Sequence, residues 1–154
     1  MDFNKNKMVH GESSWDTKYN DLIDDLNVTV SDLGKKYQGF EMIDNYSVLN
    51  GASTDSGATR ICKLKLADAD IFLFNIFLKG VNAKQWQSVP VMSIPVSALD
   101  GFSSIENYTG DQVADSGNAY STTMTSNGTF TVFPRSANLN NQALYLIGTA
   151  VAHN

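Results

Sequence analysis

The apolar positions of this chain change their period once, near residue 39. Before that point they recur at Trp15, Tyr19, Leu22, Leu26, Val30, Leu33 and Tyr37. Steps of three and four residues put them on one face of an α-helix, as a stripe too narrow for a helix buried on all sides. Trp15 to Leu26, Leu22 to Leu33 and Leu26 to Tyr37 are each eleven residues apart, a repeat that suits a nearly straight or weakly right-handed supercoil. The pattern predicts a helix over 13–38 that packs on copies of itself or on the β domain next to it. Ser13 or Ser14 can cap it, and Asp16 falls in the first turn, where the helix dipole favours a carboxylate. Asn27-Val28-Thr29-Val30-Ser31 is a poor helical stretch, so a break is expected there, with a second short helix ending at Gly39. Met1 to Glu12 has no periodicity and reads as an extended arm. Its Phe3 and Met8 are exposed apolar residues, and its His10 faces solvent.

From Phe40 the pattern is that of strands and turns. Met42–Asn50 alternates and ends in the turn pair Asn50-Gly51. The loop after it leads to strands over 58–66 and 71–79, separated by a turn at Ala67-Asp68-Ala69-Asp70 and closed by Gly80. Ile71 to Leu78 is apolar on both faces, which predicts burial on both and a neighbouring subunit on one of them. Pro90 and Pro95 confine the stretch 86–96 to an edge or to irregular extended chain. The polar stretch 98–117 reads as loops. Ser126-Asn127-Gly128 between 119–125 and 129–133 is a hairpin signal, and 143–153 reads as a long last strand. In that strand Gly148, Ala150 and Ala152 share a face, which suggests close approach of another surface. Six to eight strands are expected, in one mainly β, antiparallel β-sandwich of jelly-roll-like kind. The domains predicted are an arm and helix over 1–39 and a β head over 40–154.

Composition narrows the function. Charged residues are only 18% of 154, and the net charge is −5, with the few basic residues scattered, so a nucleic-acid footprint is not expected. No stretch has the ~18 apolar residues of a membrane span, and the amino-terminal residues show no apolar signal region. Cys62 is the only cysteine, so no intrachain disulfide forms, and its setting in a strand reads as a small hydrophobe. Asp68 and Asp70 lack a third oxygen-rich partner for calcium. His10 and His153 are the only histidines, and neither stands in a nucleophile-elbow context. Nothing in the sequence pairs the carboxylates of the β region for glycosidase work. An enzyme is therefore not expected, and neither a cofactor nor a metal is.

What remains is a binding surface. Aromatic rings stack on the apolar face of a sugar, while Asp, Asn and Arg side chains bond its hydroxyls. The candidates are Trp86, Tyr108 and Tyr120, with Asn107, Asp111, Asp115 and Arg135 near them in sequence.

Two parts of the chain resemble a known group. The opening of the helix resembles the amino-terminal segment of tail and baseplate proteins from phages of Gram-positive bacteria, where a W-x-x-K-x-N motif starts a trimerising helix. Trp15, Lys18 and Asn20 carry it here. The β region resembles the head domain of such appendages, through Val48-Leu49-Asn50-Gly51, Arg60, Lys79-Gly80, Ser93-Ile94-Pro95 and Ser126-Asn127-Gly128, in that order. It departs over 103–121, which is longer and more polar. The resemblance implies a receptor-binding protein of the tail or baseplate, a homotrimer adsorbing to host cell-wall saccharide. It implies attachment to other phage baseplate or tail proteins through the amino-terminal segment. Such a protein is made in the host cytoplasm without a signal peptide and ends in the virion. The competing expectation is a structural appendage or adaptor that reads no receptor.

Overall fold

The computed structural model describes residues 15–55 and 57–154. It divides into two units, with the boundary between Gln38 and Gly39. In the first, α1 (Trp15–Lys36) runs unbroken through Asn27–Ser31, against the break expected there. Thr29 Oγ1 donates to the Asp25 carbonyl at 2.9 Å, a back-bond by which threonine stays in a helix. The chain then passes directly into β1 (Tyr37–Met42). Gly39 is no helix cap: it lies inside this strand with a φ of 145°. Of the apolar stripe, Leu26, Val30 and Tyr37 are exposed. The arm with Phe3, Met8 and His10, and the capping serines Ser13 and Ser14, lie outside the described residues.

The second unit is mainly β and sandwich-like. Its strands are β2 (Ser47–Val48), β3 (Ser53–Thr54), β4 (Arg60–Leu66), β5 (Ala69–Ala83), β6 (Val89–Ser93), β7 (Ser104–Tyr108), β8 (Gln112–Val113), β9 (Ala119–Met124), β10 (Thr129–Pro134) and β11 (Leu139–His153). Sheet A has the order β1-β4-β5-β11-β7, with β3 also on β5, and sheet B the order β2-β6-β10-β9-β8. The core lies between them. Phe72, Phe74, Ile76 and Leu78 of β5 point inward with Leu144 and Leu146 of β11. Phe74 crosses to meet the Phe130 ring of sheet B edge-on, with centroids 5.0 Å apart, an arrangement that aromatic rings prefer.

The small residues of β11 belong to this core and not to a contact between subunits. Phe72 stands opposite Ala150 and Phe74 opposite Gly148, so the large rings of one strand fill the space left by the other. A Cβ on Gly148 would come within 2.4 Å of Thr109 Cγ2 and 3.0 Å of Phe74 Cζ. The close approach is the domain's own.

The other face of β5 is only partly covered, and Leu73 is 49% exposed. Burial on both faces is therefore not met within one chain. Gly80 does not end β5 either. With a φ of 73° it forms an irregularity opposite register shifts of β11 between Leu139 and Leu144, and pairing continues to Ala83. The Asn50-Gly51 turn and the hairpin over 126–128 form as expected, with Gly128 packed so that a Cβ would meet the Ile94 carbonyl oxygen at 2.9 Å. The stretch 86–96 holds a real strand, β6, inside sheet B. Its neighbour on one side is the two-residue β2, and on the other side the register shifts beside Pro90, which is how the sheet admits a proline.

The largest departure is 98–117, expected as loops. After a 3-10 helix at Val96–Leu99 it forms β7 on the edge of sheet A and β8 on the edge of sheet B. Eleven strands thus stand among the described residues where six to eight were expected, the excess being chiefly two-residue strands and β7.

Candidate functional site

The ends of β5 and β11 frame a shallow cleft of about 410 Å³, lined by Asn82, Lys84, Gln87, Val89, Asn138 and Asn140, with Ala83 and Leu139. Local irregularity puts the amides there. Asn82 Nδ2 donates to the Gly80 carbonyl at 3.0 Å, and its Oδ1 accepts from the Asn141 amide at 2.9 Å. Asn141 itself has a φ of 54°. Asn138 Oδ1 accepts from the Gln85 amide at 2.8 Å. The volume falls in the range of small-ligand sites, roughly 300–1,000 Å³.

Trp86 lies in the turn between two of the lining residues. The Gln87 amide donates to the Lys84 carbonyl at 3.1 Å, and the Trp86 amide to the Pro134 carbonyl at 3.0 Å. Trp86 has a φ of 63°, at a turn position usually held by glycine or asparagine. For a bulky residue this conformation costs about 1–2 kcal/mol, and the surrounding hydrogen bonds hold it. The indole is 60% exposed and leans edge-on against Phe133, with centroids 6.0 Å apart. The Arg135 guanidinium lies 5.7 Å from the same Phe133 ring, and its Nε is 3.6 Å from Asp111 Oδ1. Of the seven sugar-binding candidates, Trp86 and Arg135 meet at Phe133, and Asp111 joins them through Arg135.

The other four lie elsewhere. Tyr120 is fully buried and presents no ring face to a ligand. Its hydroxyl donates to the Tyr145 carbonyl at 2.7 Å and accepts from the Tyr145 amide at 3.1 Å. Burial pushes its pKa up to about 12, with a smaller push from Asp115. The Asn107 amide is engaged at both ends by the Met124 backbone, donating at 2.8 Å and accepting at 2.6 Å. Tyr108 is exposed on the outer side of sheet A, its hydroxyl donating to Glu106 at 2.8 Å. Asp115 is exposed in the turn after β8. The cleft amides and Phe133 were missed because single asparagines in turns look like turn chemistry.

A second cleft, of about 360 Å³, opens at the opposite end of β5 and is lined among others by Glu41, Lys63, Lys65, Ser97 and Asp100. Lys63 is 1% exposed. Its Nζ donates to the Ala98 carbonyl at 2.7 Å and Asp100 Oδ2 at 3.2 Å, with Glu41 Oε2 at 3.4 Å and buried Asp70 Oδ2 at 3.9 Å. Lys65 reaches Glu41 and Asp100, each at 3.2 Å. A hydrogen bond from Lys65 chiefly holds the Glu41 carboxyl below its ordinary range, helped by the charge of Lys63. Burial pushes Asp100 up, but hydrogen bonds from Lys63 and Lys65 outweigh it and hold it low. Burial pushes the Asp70 carboxyl up, beyond what the charge of Lys63 pulls back. A lysine thus stands where a bound cation would, and among the described residues no cluster of His, Cys, Asp and Glu is arranged for a metal. Sequence reading did not pair these carboxylates; the signal available was Lys-x-Lys on the inward face of a strand.

The polar lining of the first cleft is four amide side chains and one ammonium group, with the Asn82 amide engaged at both ends within the chain. No family model, curated protein or solved structure matches the chain.

Proposed function

We propose that this chain is a receptor-binding protein of a phage tail or baseplate, a homotrimer that adsorbs to saccharide on the host cell surface. The supporting observation is the exposed Trp86, held in a strained turn beside the amide-lined cleft. Carbohydrate asks for such a pairing, a flat apolar face next to fixed hydrogen-bonding groups. The polarity of the head agrees with it. Glu41 of β1 lies beside Lys65, the register partner of Asp70, so the head begins at one end of β5 and the cleft lies at the other. In this reading α1 sets the trimer and joins it to the particle, and the jelly-roll-like head carries recognition. Three weak sites per trimer, multiplied over many trimers, give strong adsorption without tight single sites.

The test is retention of the protein on host cell-wall polysaccharide, with Trp86→Ala beside the unaltered chain. Loss of a stacking aromatic is expected to weaken each site by about 1 kcal/mol or more, which avidity multiplies into loss of retention. An unaltered protein that is not retained, yet assembles with other virion proteins, would establish the adaptor reading instead.

A further inference from the structure

We infer that the outer face of sheet A is the surface by which a second copy of this chain packs against the head. This rests on the homomeric part of the proposed function and names the surface for it. The face is built by alternation. Inward residues of β5 alternate with Ile71, Leu73, Asn75 and Phe77 on the outside, and register carries the pattern sideways. Leu73 stands between Cys62 and Thr149, and Ile71 between Leu64 and Val151. Tyr145 and Ile147 continue it, 48% and 54% exposed.

Three observations point to a protein surface of the same kind as the occupant. The first is extent. Five strands about 4.8 Å apart, over about nine residues at ~3.3 Å each, cover roughly 600 Å², of the order of the ~800 Å² that one partner gives to a standard interface. The second is contrast. The outer face of sheet B is polar along Ser121, Thr123, Thr129 and Thr131, with Thr123 and Thr131 hydrogen-bonded to each other at 2.8 Å, while Phe133 and Val113 stand toward one end of it, opposite Ser121 and Ala119. The third is charge. The chain carries −5, so two copies repel over most of their surfaces. On the outer face of sheet A the Glu106 carboxylate accepts from the Tyr108 hydroxyl at 2.8 Å, and Lys79 lies over the Phe77 ring at 5.3 Å. These charges lie around Leu73, Ile71 and Ile147, with Asn75 between Ile147 and Arg60, an apolar cluster bordered by polar groups as in an interface core with its rim. Glu106 is the one carboxylate among the outward residues of β4, β5, β7 and β11, so the negative charge of the chain lies mostly elsewhere.

The test is the mass of the full chain in solution, by light scattering at micromolar concentration, for the unaltered protein, Leu73→Asp, Ile147→Asp and the control Thr131→Asp. The expected result is a mass of three times 16.8 kDa for the unaltered protein and the control, and a shift toward 16.8 kDa in the two face variants, with β circular dichroism kept. A monomeric unaltered chain, or face variants that keep the parent mass, would overturn the assignment. Cys62 gives a readout that needs no variant. It lies on this face against Met42, with Sγ and Sδ 3.2 Å apart, so dilution below the dissociation range must raise its rate of thiol modification several-fold. A rate independent of concentration counts against the interface. Saccharide retention is scored separately: a monomeric face variant that still binds polysaccharide separates this interface from recognition, and a trimer that binds none leaves the interface standing.

Discussion

Tyr120 looked like a ring for stacking on sugar and is instead a connector between the sheets. Its hydroxyl takes both the amide and the carbonyl of Tyr145. Tyr120→Phe leaves those two backbone groups without their partner in a buried place and is expected to cost about 1–3 kcal/mol, read as a lower urea midpoint with an unchanged slope. Lys63 is a second such residue. Removing it strands the Asp70 carboxylate, so Lys63→Met is expected to cost about 3–5 kcal/mol. The same cluster sets a pH dependence. Glu41 and Asp100 are held below their ordinary values of 4.5 and 3.8. Their contribution is full above about pH 4.5 and is lost as pH falls through the lowered values. Asp70 is raised from 3.8, so its contribution has the opposite sign: present at low pH and lost as pH rises through the raised value. Glu41→Gln should therefore flatten the acid-side fall of the thermal midpoint between about pH 5 and 3. An unchanged fall would mean that other groups govern it.

At the scale of elements, the segment from β7 to β8 crosses from sheet A to sheet B and fastens both. Asn107 bonds the Met124 backbone at both ends, and Thr109 Oγ1 donates to the Thr122 carbonyl at 2.6 Å. Gln112 does the same for Ile147, donating from Nε2 at 2.6 Å and accepting at Oε1 at 3.3 Å. Asn107→Ala is expected to cost about 1–3 kcal/mol and to speed amide exchange at Met124 before exchange elsewhere in β9. This segment also shows where sequence stops being legible. Its Ser, Asn, Thr and Gln read as loop because polar strands at sheet edges use side chains for cross-sheet bonds, which no alternation rule records. The hairpin over 126–128 was legible because turn chemistry and flanking strands are local. The small residues of β11 were visible, but their partner was not, since Phe72 and Phe74 lie more than seventy residues earlier and only register brings them together. Of the candidate site, an exposed Trp86 was legible and the amides around its cleft were not, because bulges at Gly80 and Asn141 bring them together.

For the whole molecule, the boundary between Gln38 and Gly39 implies that residues 39–154 carry their own core. That fragment is expected to give a single cooperative urea transition with a β spectrum. A chain that unfolds gradually without residues 1–38 would show that the head depends on them.

The cross-sheet bonds have a consequence for how many copies can live side by side. Beyond β7, the edge of β11 at Tyr145 and Ile147 already has its amide and carbonyl groups engaged by a phenol and a side-chain amide, and Met124 on β9 is engaged in the same way. A neighbouring chain arriving edge-on finds no ladder there to extend, and runaway strand addition of the kind that seeds insoluble fibres is blocked at these positions. At these positions one tyrosine, one asparagine and one glutamine occupy the places that another strand would take.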